Sequence, residues 1–331
     1  MRTALALACL VAAGCGGSGV DVVMVYSPHG PEMLGDYEKK FEADHPGVDV
    51  QWIDAGSQEV YNRVRSEKAN PRGDVWWGGP SSLFVQAAKE DLLAPYRPVW
   101  ADAVDDGFKD SQDHWYGTFR SPLAIAYNNQ GYAASDVPRT WDELLDPKWN
   151  GKLTFREPVP SGTMRTFIGA MILRQENEET GLAWLRRLHG AAEDYTESPQ
   201  LLFDHLKRNP QLVTVWLMPD IALQRERHGY PLDTVVPPQT PVLTEGIAII
   251  KGAPHPELAK AFYDYVTTQE NLVQQAQAYA KMPARSDVDP ESLPEWMRNQ
   301  DIDAMGIDWA HFAQNERRWT DLWVKEVYNA S

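Results

Sequence analysis

The segment VDVVMVYSPHGPEMLGDYEKKF, residues 20–41, decides the fold class of this 331-residue chain. Its valine-rich beginning is typical of a buried β-strand. A loop of small and polar residues follows, and Leu34, Tyr37 and Phe41 then recur at helical spacing. The segment therefore predicts a strand joined to a helix by a short polar loop.

The same order of strand, small polar loop and helix recurs at about 48–69 and 74–90, which predicts an α/β protein with helices flanking a sheet. In such proteins the loops after the carboxyl ends of the strands meet at one edge of the sheet, where ligands bind. Two long extended passages follow, at 115–128 and 233–252. They suggest that the chain crosses into a second lobe and later returns.

Composition and charge exclude some classes of protein. The chain has 47 acidic against 31 basic side chains, a formal net charge of −16 and no basic stripe, so nucleic acid is not an expected partner. Both cysteines lie within the first fifteen residues, which leaves the body of the protein without a disulfide framework.

The amino terminus has the pattern of an export signal. Residues 1–14 combine one arginine with a short apolar run, too short to span a bilayer. The sequence LVAAGC at 10–15 resembles a bacterial lipobox, which implies lipidation of Cys15 and a flexible tether over 15–20. The alternative is an ordinary cleaved signal peptide. Either way, we expect an extracytoplasmic protein, and with the lipobox one anchored to a bacterial membrane.

Small polar residues directly precede several predicted helices: Ser27, Ser57, Ser81, Ser82, Ser161 and Thr163. Each could be an N-cap, which stabilises a helix by about 1 kcal/mol. If the loops converge, their free N–H groups and helix dipoles form an anion site. PSGT at 160–163 is the strongest candidate because Gly162 lets a ligand approach the backbone, as Gly30 does in the first loop. Gly79 lies in the loop after the third strand.

Other candidate residues are charged or titratable. Asp220 and Glu245 follow later strands, where carboxylates suit the hydroxyls or amines of a ligand, although solvated surface charge is an equal alternative. His29 is a candidate because it occupies a strand-to-helix loop. The sequence shows no nucleophile elbow, zinc-helix or phosphate-loop motif and no metal-type histidine spacing. It therefore predicts no catalytic residue, metal or cofactor.

The chain resembles the solute-binding proteins of ABC importers, in the branch of ferric-ion, thiamine, phosphonate and hexose-phosphate binders. The resemblance covers nearly the whole mature chain and is carried by these segments: VVMVYSPHGPEMLGDYEKKFEADHPGVDVQWI, GDVWWGGPSSLFVQAAKEDLLAPY, WYGTFRSPLAIAYN, TWDELLDPKWNGKLTF, PSGT and GIAIIKGAPHPELAKAFYDYV.

The resemblance implies a two-lobe type II periplasmic-binding-protein fold, each lobe a mainly parallel sheet flanked by helices, with two crossover strands. We expect lobe 1 at 21–120 plus 241–285 and lobe 2 at 121–240 plus 286–331. The implied protein is a monomer that captures a solute between its lobes and delivers it to an ABC permease in the cytoplasmic membrane. Presentation to a membrane sensor is an alternative that the sequence does not separate from transport.

The ligand is expected to be a small anion. In the ferric-ion branch a first-loop histidine, an acidic residue after the third strand and a tyrosine pair hold the metal. Here His29 lies near the first position, but GGPSS has no carboxylate and Met218-Pro219-Asp220 replaces the tyrosines. PSGT matches the anion-holding loop of the family. Together with Asp220 and Glu245, it indicates a phosphorylated organic solute such as a sugar phosphate or a phosphonate.

Two further residues are assigned ligand contacts. We expect Trp77 to stack on an apolar ligand face, and Arg120 either to pair with a phosphate or to form an inter-lobe salt bridge. A ferric-ion transport protein remains an alternative, as does a lipid-anchored carbohydrate hydrolase using Asp220 and Glu245.

Overall fold

The computed structural model describes residues 21–298, 300 and 302–329. The expected signal peptide, the lipidated Cys15 and the tether lie outside the described residues. The strands of the described part are β1 (Asp21–Ser27), β2 (Val48–Asp54), β3 (Val75–Pro80), β4 (Leu93–Ala94), β5 (Tyr116–Asn128), β6 (Leu153–Arg156), β7 (Ala192–Thr196), β8 (Val213–Leu217), β9 (Leu232–Val235) and β10 (Val242–Ile250). The α-helices of the same part are α1 (Pro31–Asp44), α2 (Ser57–Ser66), α3 (Ser81–Lys89), α4 (Gly162–Leu173), α5 (Glu178–Ala191), α6 (Pro199–Arg208), α7 (Met218–His228), α8 (Pro256–Val266), α9 (Gln269–Tyr279), α10 (Glu295–Arg298) and α11 (Trp309–Trp323).

The first lobe is built on the three repeated units of the sequence. Strand β1 lies between β2 and β3 and is parallel to both. Strand β10 pairs antiparallel with the far side of β3 and with the short β4. Because β1, β2 and β3 run in the same direction, their following loops meet at one edge of the sheet.

The second lobe has its own sheet. Strand β6 is parallel to β7 and β8, while β8 and β9 pair antiparallel with β5. The parallel pairs are those that helices connect, as expected for crossover units.

Two strands pass between the lobes, as the two extended passages predict. The first half of β5 pairs antiparallel with β10 over Tyr116–Pro122, and its second half pairs with β8 and β9 over 123–128. The second passage contributes β9 to one sheet and β10 to the other. The expected two-lobe α/β architecture with two crossovers is confirmed.

Each lobe has its own buried core. In the first lobe the strand alternation sends Trp76 and Trp77 to opposite faces of β3, and each is fully buried. In the second lobe the core lies around β5, β6 and β8, and α11 adds Trp319 and Trp323 to it. The carboxyl-terminal helix therefore caps the second lobe, as its tryptophan content indicates.

One expected helix is interrupted. The apolar pattern over 256–280 predicts a single helix, but the chain forms α8 and α9 with a break at Thr267 and Thr268. Thr268 caps α9 because its hydroxyl accepts a hydrogen bond from the Asn271 N–H at 3.2 Å. Among the described residues, none of the helices is both long and apolar enough to cross a membrane.

Candidate functional site

A cavity of about 460 Å³ lies between the two lobes. Its walls come from the loop after β1 and the ends of β3, β6 and β8, together with the start of β10 and the loop after α9. The cavity thus occupies the edge at which open α/β sheets bind their ligands.

The amino end of α4 forms one wall. Ser161 is its N-cap, and its hydroxyl accepts a hydrogen bond from the Met164 N–H at 3.2 Å. The N–H groups of Gly162 and Thr163 belong to the first turn, which has no intrahelical acceptor for them. A Cβ on Gly162 would lie 2.8 Å from Pro80 Cγ, so glycine permits the close approach of the two lobes here.

Further helix amino ends border the same cavity. Gly30 precedes α1 with φ +85°, Ser57 begins α2, and Pro80 precedes α3. In the second lobe Ser198 caps α6 by accepting from the Leu201 N–H, and Leu217 precedes α7. With α4, six helices of the described part begin at the cavity, and the amino end of a helix carries the positive end of its dipole.

Arg156 supplies a cation beside these helix ends. It is the last residue of β6, and only 9% of it is exposed. Its Nη1 donates to the carbonyl oxygens of Thr196 at 3.2 Å and Glu157 at 3.5 Å. Within the described part of the chain, its Nε and Nη2 have no hydrogen-bond partner. The guanidinium, whose pKa burial lowers, therefore keeps donors free for an anion.

A buried ion pair, Lys281 with Glu245, also borders the cavity. Lys281 Nζ lies 3.3 Å from Glu245 Oε2, and the Ser121 hydroxyl donates to Glu245 Oε1 at 2.5 Å. Burial alone would raise the pKa of Glu245, but Lys281 and these neighbours outweigh it and lower that pKa. Burial would likewise lower the pKa of Lys281, and the carboxylates of Glu245 and Asp220 raise it instead. Both side chains of the pair are therefore held in their charged forms.

His29 lies beside this ion pair. The residue borders the cavity, but its imidazole is only 1% exposed and packs edge-on against Trp77 and Phe119. Burial and the nearby Lys281 cation lower the pKa of His29 to about 3, so the ring is neutral near pH 7. Its Nδ1 lies 3.5 Å from Glu245 Oε2. The imidazole is thus placed to orient Glu245.

Two other carboxylates border the cavity. Asp220 Oδ2 accepts a hydrogen bond from the Trp216 indole at 2.9 Å, and burial raises the pKa of Asp220. Asp54 accepts from the Gly30 N–H at 3.3 Å, and burial raises its pKa as well. Each carboxylate has spare acceptor capacity for a hydroxyl or amine of a ligand.

Most of the residues expected from the sequence come together at this cavity: His29, Gly30, Ser57, Gly79, Ser161, Gly162, Thr163, Asp220 and Glu245. They come from distant parts of the chain, and the fold brings them to one place because each follows or precedes a strand at the same sheet edge.

Four expected residues do not border the cavity. Ser27 is buried, and its hydroxyl accepts from the His29 N–H at 3.1 Å, which stabilises the loop. Ser81 is buried in the first turn of α3. Trp77 is fully buried in the first-lobe core, and Arg120 is the one exposed residue of β5 and lies outside the cavity.

Three residues were missed by sequence reasoning. Arg156 ends the strand LTFR just before PSGT, and that strand-end position could have indicated it. Asp54 similarly ends β2. Lys281 carries no local signal, because it reaches the cavity only where the loop after α9 bonds to β5, with the Arg120 N–H donating to the Met282 carbonyl.

The donor set does not resemble a hard-metal site. In the described part of the chain no three His, Cys, Asp or Glu side chains gather as metal ligands. The Glu245 carboxylate is paired with Lys281, and the His29 imidazole is buried.

Comparison with known proteins identifies relatives across most of the chain. The family model described as bacterial extracellular solute-binding protein matches residues 81–315. A Sinorhizobium fredii protein named as an ABC transporter periplasmic-binding protein, y4fP, is 25% identical over 332 residues, covering 98% of this chain and 90% of the relative. A Salmonella typhimurium LT2 protein named for 2-aminoethylphosphonate binding is 25% identical over 323 residues, covering 86% of this chain and 89% of the relative.

Solved structures agree with the fold. The periplasmic binding protein AfuA from Actinobacillus pleuropneumoniae, with fructose-6-phosphate bound, superposes with a TM-score of 0.82 at 25% identity, covering 93% of this chain and 99% of that one. A ferric binding protein from Campylobacter jejuni superposes with a TM-score of 0.79 at 18% identity, covering 92% and 98%, which shows the fold alone.

Proposed function

This chain belongs to the family of bacterial extracellular solute-binding proteins, which serve ABC importers, and we propose that its solute is an anionic, phosphorylated organic molecule. The solute class is a sugar phosphate or a phosphonate. The protein captures it in the inter-lobe cavity and delivers it to the permease. Closure of the lobes around the solute is the conformational change that a permease can recognise.

One observation carries the proposal: the helix amino ends and the Arg156 guanidinium face the same cavity. Neutral N–H donors at helix ends bind phosphate without adding full charges. Arg156 adds a planar donor set suited to two phosphate oxygens. This wall is the binding surface for the phosphate or phosphonate group.

Other polar groups of the same cavity suit the organic part of the solute. Asp220 and Asp54 offer carboxylate oxygens to hydroxyls or amines, while Lys281 keeps Glu245 ionised and oriented. The named ligands of the two phosphorus-binding relatives, fructose-6-phosphate and 2-aminoethylphosphonate, contain these groups. Their names support the proposed class without distinguishing its members.

The alternatives have less support. A ferric-ion ligand needs a donor set that the described residues do not assemble. The family consists of solute-binding transport proteins, so a carbohydrate hydrolase acting through Asp220 and Glu245 is not supported.

The organisation of the chain forms part of the proposal. We place lobe 1 at 21–120 plus 241–285 and lobe 2 at 121–240 plus 286–331. The protein acts as a monomer and is anchored through lipidated Cys15. Labelling cells with a radioactive fatty acid tests the anchor, because Cys15→Ala removes the label if the cysteine is the acylated residue.

A thermal-shift panel tests the solute class. It contains glucose 6-phosphate, fructose 6-phosphate, glycerol 3-phosphate, 2-aminoethylphosphonate and ethylphosphonate, with ferric citrate as comparator. At 100 times its Kd, a bound solute stabilises the folded state by about 2.7 kcal/mol, so a rise in Tm is expected for at least one phosphorylated member. If all of them leave Tm unchanged while ferric citrate raises it, the proposal is wrong.

A further inference from the structure

A second groove runs beside the ligand cavity, on the outer surface. Its volume is about 490 Å³, and its walls come from α2, α3, α4 and α11. Its side chains are charged or polar, with amides supplied by Gln58, Asn62, Gln86 and Gln314. None of these residues borders the ligand cavity, so the groove is a separate surface.

The groove has an unusual charge for this protein. Four cations border it, Arg65, Lys89, Arg165 and Arg317, against the two carboxylates of Glu90 and Asp321. The local formal charge is therefore positive in a chain whose net charge is −16.

The four cations are also free of ionic partners. In the part of the chain that the structure describes, none of them makes an ion pair. Arg65 lies over the Tyr61 ring, and Arg165 Nε donates to the Val159 carbonyl at 2.8 Å. Glu90 accepts a hydrogen bond from the Tyr61 hydroxyl, so its carboxylate is directed at a neutral group. The groove keeps an excess of cations over carboxylates, although Glu316 and Asp321 interact electrostatically with Arg165.

The groove spans both lobes. Helices α2 and α3 pack in the first-lobe core, whereas α4 and α11 pack in the second. The two sides meet where Gln86 Nε2 on α3 donates to the Ala313 carbonyl on α11 at 2.8 Å. Gln58 follows Ser57, and Arg165 lies two residues after Thr163, so α2 and α4 border the ligand cavity and the groove alike. If the lobes move relative to each other around a solute, the spacing of the cations across the groove changes with them.

We propose that this groove is a docking surface for an acidic segment of the ABC permease. The inference rests on the proposed function, because it assumes a permease partner. An acidic segment complements the unpaired cations, and contact with both lobes lets it distinguish the solute-bound from the open protein. Electrostatic complementarity of this kind sets the rate and specificity of docking.

Charge reversal tests the docking surface in proteoliposomes that contain the permease and ATPase of the importer. The variants are Arg65→Glu with Lys89→Glu on the first lobe, and Arg317→Glu on the second. Arg72→Glu with Arg187→Glu is the matched control, because these cations are exposed but lie away from the groove. Calorimetry with the phosphorylated solute that gives the largest thermal shift shows whether each variant still binds solute.

The groove variants are expected to bind solute as the wild type does and to need about tenfold more protein for half-maximal stimulation of the ATPase. The control pair should match the wild type. Equal stimulation by the groove variants and the wild type overturns the docking surface while leaving the solute proposal intact. If the wild type binds solute but leaves the ATPase at its basal rate, delivery to the permease and the docking surface are both wrong.

A second measurement distinguishes docking of the groove on the permease from binding of the groove to a membrane surface. Phosphatidylglycerol vesicles without permease are sedimented with the protein lacking its first twenty residues. No sedimentation is expected at physiological salt. If the wild type sediments and the charge-reversal variants do not, the groove binds anionic lipid and the permease assignment is overturned.

Discussion

Substitution of Arg156 is the most direct test at the residue scale of whether the cavity binds a phosphate group. We expect Arg156→Ala to weaken binding of the phosphorylated solute about 10- to 100-fold, since a hydrogen bond to a charged group contributes roughly 1.5–3 kcal/mol. Isothermal titration calorimetry measures the change. Arg120→Ala is the matched control because Arg120 is exposed outside the cavity. An unchanged Kd for Arg156→Ala, or an equal loss for Arg120→Ala, contradicts the assignment.

The Lys281–Glu245 pair is expected to behave as a coupled unit. Lys281→Met leaves a buried carboxylate uncompensated, and Glu245→Gln leaves a buried ammonium facing only Asp220. Breaking a buried pair from one side typically costs about 3–5 kcal/mol. Urea denaturation should therefore show that the double variant is less destabilised than the sum of the single variants. Strict additivity would mean that the two charges do not interact.

Glu316 gives a pH dependence whose sign follows from its burial. It is 1% exposed on α11, and burial raises its pKa although Ser82 and Arg165 act against this. The folded state thus favours the protonated form. Its contribution to stability is full below about pH 4.5, the ordinary value, and is lost as pH rises toward the folded pKa.

Glu316→Gln tests that sign because the amide stays neutral at all pH values. The variant should show little change in Tm near pH 4 and a growing advantage over the wild type as pH rises. Differential scanning calorimetry across this range measures it. Parallel curves for the two proteins would show that Glu316 is not the titrating group.

Individual site residues could be predicted from the sequence only where they directly follow the end of a strand, because that position places them at the ligand-binding edge of the sheet. The polar loops follow strands, so the sequence alone places Ser57, Ser161 and Asp220 at one edge of the sheets, and all three border the cavity. Arg120 was expected at the cavity but lies outside it, and the sequence does not reveal the register of β5 against β10 that decides which way Arg120 points. Lys281 depends on a tertiary contact that no local pattern encodes.

The amino end of α4 lies against the first lobe across the cavity. Gly162→Ala places a Cβ 2.8 Å from Pro80 Cγ and 3.4 Å from Ser57 Cβ, both across the cavity. We expect the affinity for solute to fall, because the lobes cannot approach as closely. The folded lobe itself should lose no stability, since alanine is favoured over glycine in a helix. Calorimetric titration and thermal unfolding of the free protein measure these two effects.

Gly190→Ala is the control for that prediction. Gly190 lies in α5, and a Cβ there meets nothing within 4 Å. It should leave the affinity unchanged. If Gly162→Ala also leaves the affinity unchanged, the approach of Gly162 to Pro80 is not part of the solute-bound state.

Elements with strong periodicity were predicted well. The three strand–loop–helix units and both long extended passages are present at the expected places. The break between α8 and α9 was missed because the apolar pattern continues through it. A single threonine cap redirects the chain there, which a periodicity argument does not weigh.

The molecule as a whole is strongly acidic, yet in the groove between the lobes cations outnumber carboxylates. The two long extended passages of the sequence were enough to predict two lobes. The positive groove could not be predicted from the sequence, because its cations come from four separate helices that only the fold brings together.

The measurement that tests the central claim most directly is a calorimetric titration with a phosphorylated solute and its dephosphorylated parent. The solute is the panel member that gives the largest thermal shift, and the titrations are repeated with Arg156→Ala. The proposed site predicts that wild type binds the phosphorylated form about 100-fold or more tightly than the parent, a difference of about 2.7 kcal/mol. Arg156→Ala should lose most of that difference. Equal affinity of the wild type for the two compounds would contradict a phosphate-binding cavity.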